Sequence, residues 1–368
     1  MAQPVLLQKI QATARYYLRK LQPPEPPVKG LPEGIVFDAL DELCREQWGE
    51  TLRDVSYWHL SGWKLTGTFR LLLRTSRRRR WTLIYRDTAY NDQHFPGLAE
   101  FPASLGPAEY ALYSNARGTL AKYLPTVYRC SEVIPGQHYR YLLEDVAGEY
   151  ERVADTKGIL RAAAELPAIH RALREWASGM DQSRFLQYDS AFFAALQEYA
   201  LKNLQRYAQQ SGEESVHALC RLWPQISAMH AREELYASYP LHPIHGDFYP
   251  VNILIDPKHV GRTKLVDWEW MGLGAAHMDL ASLLQDGPPE LEEQALVVYA
   301  KALGQMSLEE HQRLYAWCKL ERGIRDAAFA AAQQMGSPAG RGVDLRNGIA
   351  AGARMALCAA ETLAQAGM

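Results

Sequence analysis

The sequence predicts an α+β protein of two lobes, a small one built on an antiparallel β-sheet with one helix and a larger one that is mainly helical. Three observations predict it. The 368 residues exceed what a single hydrophobic core usually serves, so the chain should divide. Between residues 55 and 88 the side chains alternate and are rich in β-branched and aromatic types, which is the signature of strands. After Val146 apolar residues return every three or four positions, the period of a helix with one buried face.

Residues 5–21 begin the chain with Leu6, Ile10, Ala14, Tyr17 and Leu21 at helical spacing. "LQPPEPPVKGLPEG" reads as a proline-rich linker. "IVFDALDELCREQWG" reads as a second short helix ending at Gly49, so residues 1–50 form a helical extension, suited to capping the small lobe or to dimerisation. The small lobe, 51–145, opens with three antiparallel strands turning near Gly62–Gly67 and Ser76–Arg80. A helix over 106–124 follows, with Glu109, Leu112, Tyr113, Ala116, Leu120 and Leu124 on one face. Two strands, "TVYRCSEVI" and "YRYLLEDV", close the lobe around the turn "PGQ". The larger lobe, 146–368, carries helices over 158–178, 187–210, 213–237, 276–285, 289–304, 308–334 and 344–366.

Composition narrows the function. A formal net charge of −2 gives no general affinity for nucleic acid. The run "RTSRRRRW" lies between two strands and reads as a solvated hairpin tip. Five cysteines, far apart and without a CxxC pair, suit free thiols in a reducing compartment and exclude a zinc ribbon. The N-terminus lacks an apolar secretion segment and no apolar run approaches a membrane span. The expectation is a cytoplasmic protein with no membrane and no nucleic-acid partner.

The informative stretch is 242–256, "HPIHGDFYPVNILID". His242, His245 and Asp247 raise a metal cluster, but Pro243 and Gly246 break the helix that would align the histidines. His259 and His277 do not follow at a ligand spacing. Phosphoryl transfer uses more of the residues. Asp247 and Asn252 stand as D-x-x-x-x-N before the short strand "ILID", and a further strand, "KLVDWEW", ends in Asp267. That chemistry needs a carboxylate at the attacking hydroxyl and hard oxygen ligands for Mg²⁺ on the nucleotide phosphates.

"HGDFYPVN" followed by "DWE" resembles the kinase-like phosphotransferase superfamily of aminoglycoside phosphotransferases and choline kinases. The resemblance implies a bilobal protein-kinase-like fold, ATP or GTP as co-substrate and Mg²⁺ as cofactor. By position, Asp247 is the catalytic base, Asn252 and Asp267 are metal ligands, and His245 is structural. Asp279, in "GLGAAHMDLASLL", caps a helix or ties the loop. Trp268 takes the core-facing position of the metal segment. In the small lobe the resemblance puts Arg86 on the phosphates, with Glu109 fixing it and Glu100 as its competitor for that role. Gly62 and Gly67 lie in the nucleotide-covering turn, and the hinge backbone near Glu144 and Val146 meets the purine. His170 fits the family's helix element, with packing as its role. Glu269, Glu321 and Asp326 are acidic candidates for the acceptor.

These residues describe a small-molecule kinase acting on a hydroxyl of a metabolite, sugar or aminoglycoside-like acceptor. The alternative is a catalytically weak or inactive nucleotide-binding scaffold. It draws on the incomplete glycine loop and on arginine standing where lysine is usual, since the two cations are not equivalent.

Overall fold

A computed structural model describes residues 26–60, 67–88, 105–146, 150–231, 241–259, 261–285, 287–304, 306–336 and 345–366. The expected helix over 5–21, Gly62, Glu100 and the end of the helix expected over 213–237 lie outside them. The described residues fall into two compact units. One runs up to residue 94 and adds Glu109–Ala154 and Leu254–Val266; the other takes Phe95–Ala108, Asp155–Ile253 and Asp267–Met368.

The first unit is a sheet with a helix built into its core. Its strands are β1 (Val28–Lys29), β2 (Leu52–His59), β3 (Gly67–Thr75), β4 (Arg80–Asp87), β5 (Val127–Ile134) and β6 (His138–Glu144), in the order β1-β2-β3-β4-β6-β5. All pairs are antiparallel. Along β3 the residues Phe69, Leu71 and Leu73 are buried and their neighbours less so, the period of two on which the expectation rested. Helix α1 (Phe37–Trp48) drives Leu40, Leu43 and Cys44 into the same cluster as Val55, Leu71, Leu83 and Leu142. Residues 37–48 are therefore integral to this unit, and the expected linker contributes β1, so residue 50 marks no break in packing.

The helix expected over 106–124 is interrupted. It divides into α2 (Pro107–Asn115) and α3 (Gly118–Ala121). Arg117 is extended and Gly118 has φ +61°, a backbone state that glycine adopts without a steric cost. The arginine run behaves as expected, forming the exposed turn between β3 and β4. A small antiparallel pair completes the unit, β7 (Glu151–Arg152) against β10 (Ile253–Ile255), with β11 (Thr263–Leu265) on its other side.

The second unit is helical: α4 (Thr156–Ala177), α5 (Ser190–Ala208), α6 (Glu214–Ala231), α7 (His277–Leu283), α8 (Pro289–Leu303), α9 (Leu308–Gly336) and α10 (Arg346–Gln365). Asp155 and Asp189 cap α4 and α5 by accepting from Gly158 N and Phe192 N. A three-stranded sheet of β8 (Leu186–Gln187), β12 (Gly272–Gly274) and β9 (His242–Ile244) lies among the helices, with β12 parallel to β8 and antiparallel to β9. Helices α9 and α10 approach closely through glycines: a Cβ on Gly323 would stand 2.6 Å from Ala356 N. Among the described residues no helix is long and apolar enough to cross a membrane.

Candidate active site

Strand β9 ends at Ile244 and delivers His245 to Asn252 as a loop closed by a short 3₁₀ turn, Pro250–Asn252. The loop is tied from beneath. Asp279, in the first turn of α7 and fully buried, accepts His245 N on Oδ2 and Gly246 N on Oδ1, both at 2.8 Å. Burial alone would raise its carboxyl. The His170 side chain at 2.9 Å and the His245 backbone N–H hold it below its ordinary value instead. Asp279 thus ties the loop, and His170 has a polar role where packing was expected. Gly246 has φ +76°, and a Cβ there would lie 2.0 Å from Trp270 O. Only glycine fits.

Asp247 is held by Asn252 of its own loop and by two arginines of α9. Asn252 Nδ2 donates to its backbone oxygen at 2.9 Å and to Oδ2 at 3.2 Å. Its Oδ1 accepts from Arg322 Nη2 at 2.7 Å and from Arg325 Nη2 at 3.4 Å. Burial pushes the Asp247 carboxyl up, the Arg322 guanidinium pulls it back, and Asp267 pushes it up again. Asp267 follows β11 with φ +68°, a left-handed conformation that costs a non-glycine residue about 1–3 kcal/mol and clusters at functional sites. Trp268 beside it is fully buried and its ring centroid lies 4.2 Å from that of His245, the core-facing position expected of it.

The donor set suits a hard divalent cation. Both hydrogens of the Asn252 amide turn toward Asp247, which directs Oδ1 away from it. That oxygen and the Asp267 carboxylate are the ligand types Mg²⁺ takes when water and phosphate complete its shell. The histidine-cluster alternative lacks support: no group of three or more His, Cys, Asp or Glu among the described residues is placed to hold a metal.

In the sheet unit, Arg86 on β4 pairs with Glu109 of α2, Nη1 to Oε1 at 3.0 Å, with the acid fully buried. Gly67 starts β3 opposite Asp87. Glu144 ends β6, its side chain accepting Thr126 N at 2.8 Å, and Val146 is buried just beyond.

The acceptor candidates fare differently. Glu269 is half-buried. Glu321 is 1% exposed and pairs with His230 at 2.6 Å. Asp326 Oδ2 accepts from the Tyr249 hydroxyl at 2.6 Å and from Arg322 Nε at 3.0 Å. Glu321 is a buried counter-ion of His230, whereas Asp326, 17% exposed, shares Arg322 with Asp247. The sequence reading missed Arg322 and Arg325 between them. Their signal is two arginines three apart in the apolar run of "KLERGIRDAAF", where charge survives only if paired.

Comparison with known proteins bears on the family and the fold. Residues 68–317 match the phosphotransferase enzyme family. Choline kinase from Cryptosporidium parvum Iowa II has a similar structure: TM-score 0.57, 13% identity, covering 90% of this chain and 97% of that one. The GDP complex of a point mutant of aminoglycoside 2′-phosphotransferase-IIIa gives TM-score 0.55 and 12% identity, covering 90% and 100%. A thermostable mutant of aminoglycoside phosphotransferase APH(4)-Ia, with AMP-PNP and hygromycin B, gives 0.51 and 11%, covering 88% and 98%. At such identities the likeness is one of fold. No curated protein sequence gives a significant match.

Proposed function

The chain belongs to the phosphotransferase enzyme family, and from that premise we propose that it transfers the γ-phosphate of ATP or GTP to a hydroxyl of a small metabolite, sugar or aminoglycoside-like acceptor. The observation that carries this reading is Asp247, bonded to Asn252 on a loop tied by Asp279, with Asp267 held in a left-handed conformation after β11. Asp247 would orient the acceptor hydroxyl and take its proton, late in a loose transition state. Asn252 Oδ1 and the Asp267 carboxylate would hold Mg²⁺. When bound, that ion neutralises charge gathering on the leaving oxygen. Arg86, fixed by Glu109, would meet the phosphates, where a guanidinium fork suits two oxygens at once.

The nucleotides named with the similar structures, GDP and AMP-PNP, support testing both bases. The test is calorimetry with ATP and GTP plus Mg²⁺, followed by nucleotide consumption against amino sugars, sugars, choline-like alcohols and hydroxy amino acids. Binding with acceptor-dependent consumption is expected. Binding without turnover for any acceptor favours the scaffold reading, and no binding of either nucleotide removes both.

A further inference from the structure

Two buried arginines of α9 grip the base, and no motif in the loop announces them. We propose that Arg322, with Arg325, is a positioning residue for phosphoryl transfer: it occupies Oδ1 of Asp247, so that Oδ2 faces the acceptor and takes its proton. This rests on the reading of Asp247 as the base.

The hydrogen bonds divide one guanidinium among three tasks. Nη2 of Arg322 meets Asp247 Oδ1 at 2.7 Å, and Nη1 meets the backbone oxygen of Gly246 at 2.8 Å. Nε meets Asp326 Oδ2 at 3.0 Å and the Tyr249 hydroxyl at 3.1 Å. The Tyr249 ring lies 4.2 Å below the guanidinium carbon, so its tilt is fixed as well. Arg325 adds Nη2 to Gly246 O at 3.1 Å and is stacked 4.6 Å from the Trp270 ring. Both side chains are at most 4% exposed.

The two carboxylate oxygens are therefore unequal. Oδ1 faces two guanidinium nitrogens, whereas Oδ2 has the longer Asn252 contact at 3.2 Å. In the step, the acceptor oxygen bonds to the γ-phosphorus and its proton passes to Oδ2. The bond from phosphorus to the bridging oxygen breaks, and its electron pair leaves with the nucleoside diphosphate. Stability alone is a weak reason for this network. Buried ion clusters are often no more stabilising than apolar groups of the same shape. The rigid fork of Arg322 reaches Asp247 Oδ1, Gly246 O and Asp326 at once, a set of directions that a lysine ammonium cannot reproduce.

The test uses the full chain with Mg²⁺ and ATP or GTP, following nucleotide hydrolysis, in which water takes the acceptor's place. Arg322→Lys should lower kcat by roughly 10²-fold, the loss that a misplacement of about 1 Å brings, with nucleotide KM unchanged within about twofold. Arg325→Lys should lower kcat less. In an Asp247→Asn background, Arg322→Lys should cost no further kcat, because the oxygen it orients no longer accepts a proton. Nucleotide affinity by calorimetry shows that each variant is folded, and Arg325→Lys carries the test should Arg322→Lys not fold. Full kcat in both lysine variants, while Asp247→Asn is inactive, overturns the proposal and leaves the base assignment standing. Normal kcat in Asp247→Asn overturns the base assignment and this proposal together.

Discussion

The two units solve the same problem with opposite charges. In the sheet unit the acid is sealed, Glu109 at 0% exposure, and the cation, Arg86 at 12%, is the partner nearer solvent. In the helical unit the cation is sealed, Arg322 at 1%, and the acid, Asp247 at 18%, is nearer solvent. In the proposed function the buried member would fix and the more exposed member would meet a ligand. Arg86 presents positive charge, suited to phosphate; Asp247 presents negative charge, suited to a hydroxyl proton. Changing the presented member should alter one functional constant, and changing the buried member should also alter stability.

The largest expected effect is on Asp247. Asp247→Asn should lower turnover by about 10²–10⁴, the usual contribution of a general base, or about 3–5 kcal/mol. Nucleotide affinity, read by calorimetry, should stay nearly constant. Near-normal turnover would break the comparison at its stronger half. Asp267→Asn should instead weaken binding of the Mg²⁺–nucleotide by about tenfold or more, each tenfold being about 1.4 kcal/mol.

The sheet unit gives the next contrast. Glu109→Gln leaves Arg86 without its buried charge partner, and breaking such a pair costs about 3–5 kcal/mol. Its denaturant midpoint should fall along with its nucleotide affinity. Arg86→Lys should lower affinity with a much smaller change in midpoint. Equal midpoints for the two variants would show that the buried member is not the one that fixes.

The smallest effect concerns pH. His277 is buried against His311, Nε2 to Nδ1 at 2.9 Å. Burial and that neighbour lower its pKa from 6.5 to about 3, and burial lowers His242 to about 4. Between 6.5 and those values the unfolded chain binds protons that the folded chain refuses. Stability contributed by the two histidines is therefore complete above pH 6.5 and declines as pH falls. His277→Gln should flatten the loss in denaturant midpoint between pH 7 and pH 5. An unchanged slope would show that burial in this unit does not hold the imidazole neutral.

How much of this was legible follows from whether the signal is local. Helix α4 was expected over 158–178 and occupies Thr156–Ala177, since a long one-sided apolar period needs no tertiary information. The meeting of Asp247 with Asn252 was legible because the two stand in one short loop. Arg322 and Arg325 were not. Charges on a helix suggest solvent, and the enclosure of α9 by α5, α7 and α10 is a property of the packed fold. The break in the helix at Arg117–Gly118 was missed because a single glycine is also tolerated inside helices. His170 was assigned to packing for a similar reason: its partner Asp279 lies far away in sequence.

The chain's excursion into the sheet unit has a thermodynamic consequence. Leu254–Val266 departs just after Asn252 and returns at Asp267, so the proposed metal ligands stand at the two ends of one loop. A cation gripped by both would clip that loop shut, and β10 and β11 lie inside it. A ligand that binds only the folded chain adds RT ln(1 + [L]/Kd) to its stability, about 2.7 kcal/mol at a hundred times Kd. Melting curves with and without Mg²⁺–nucleotide would then report occupancy of the clip. A Tm that rises with ligand concentration ranks nucleotides before any acceptor is identified.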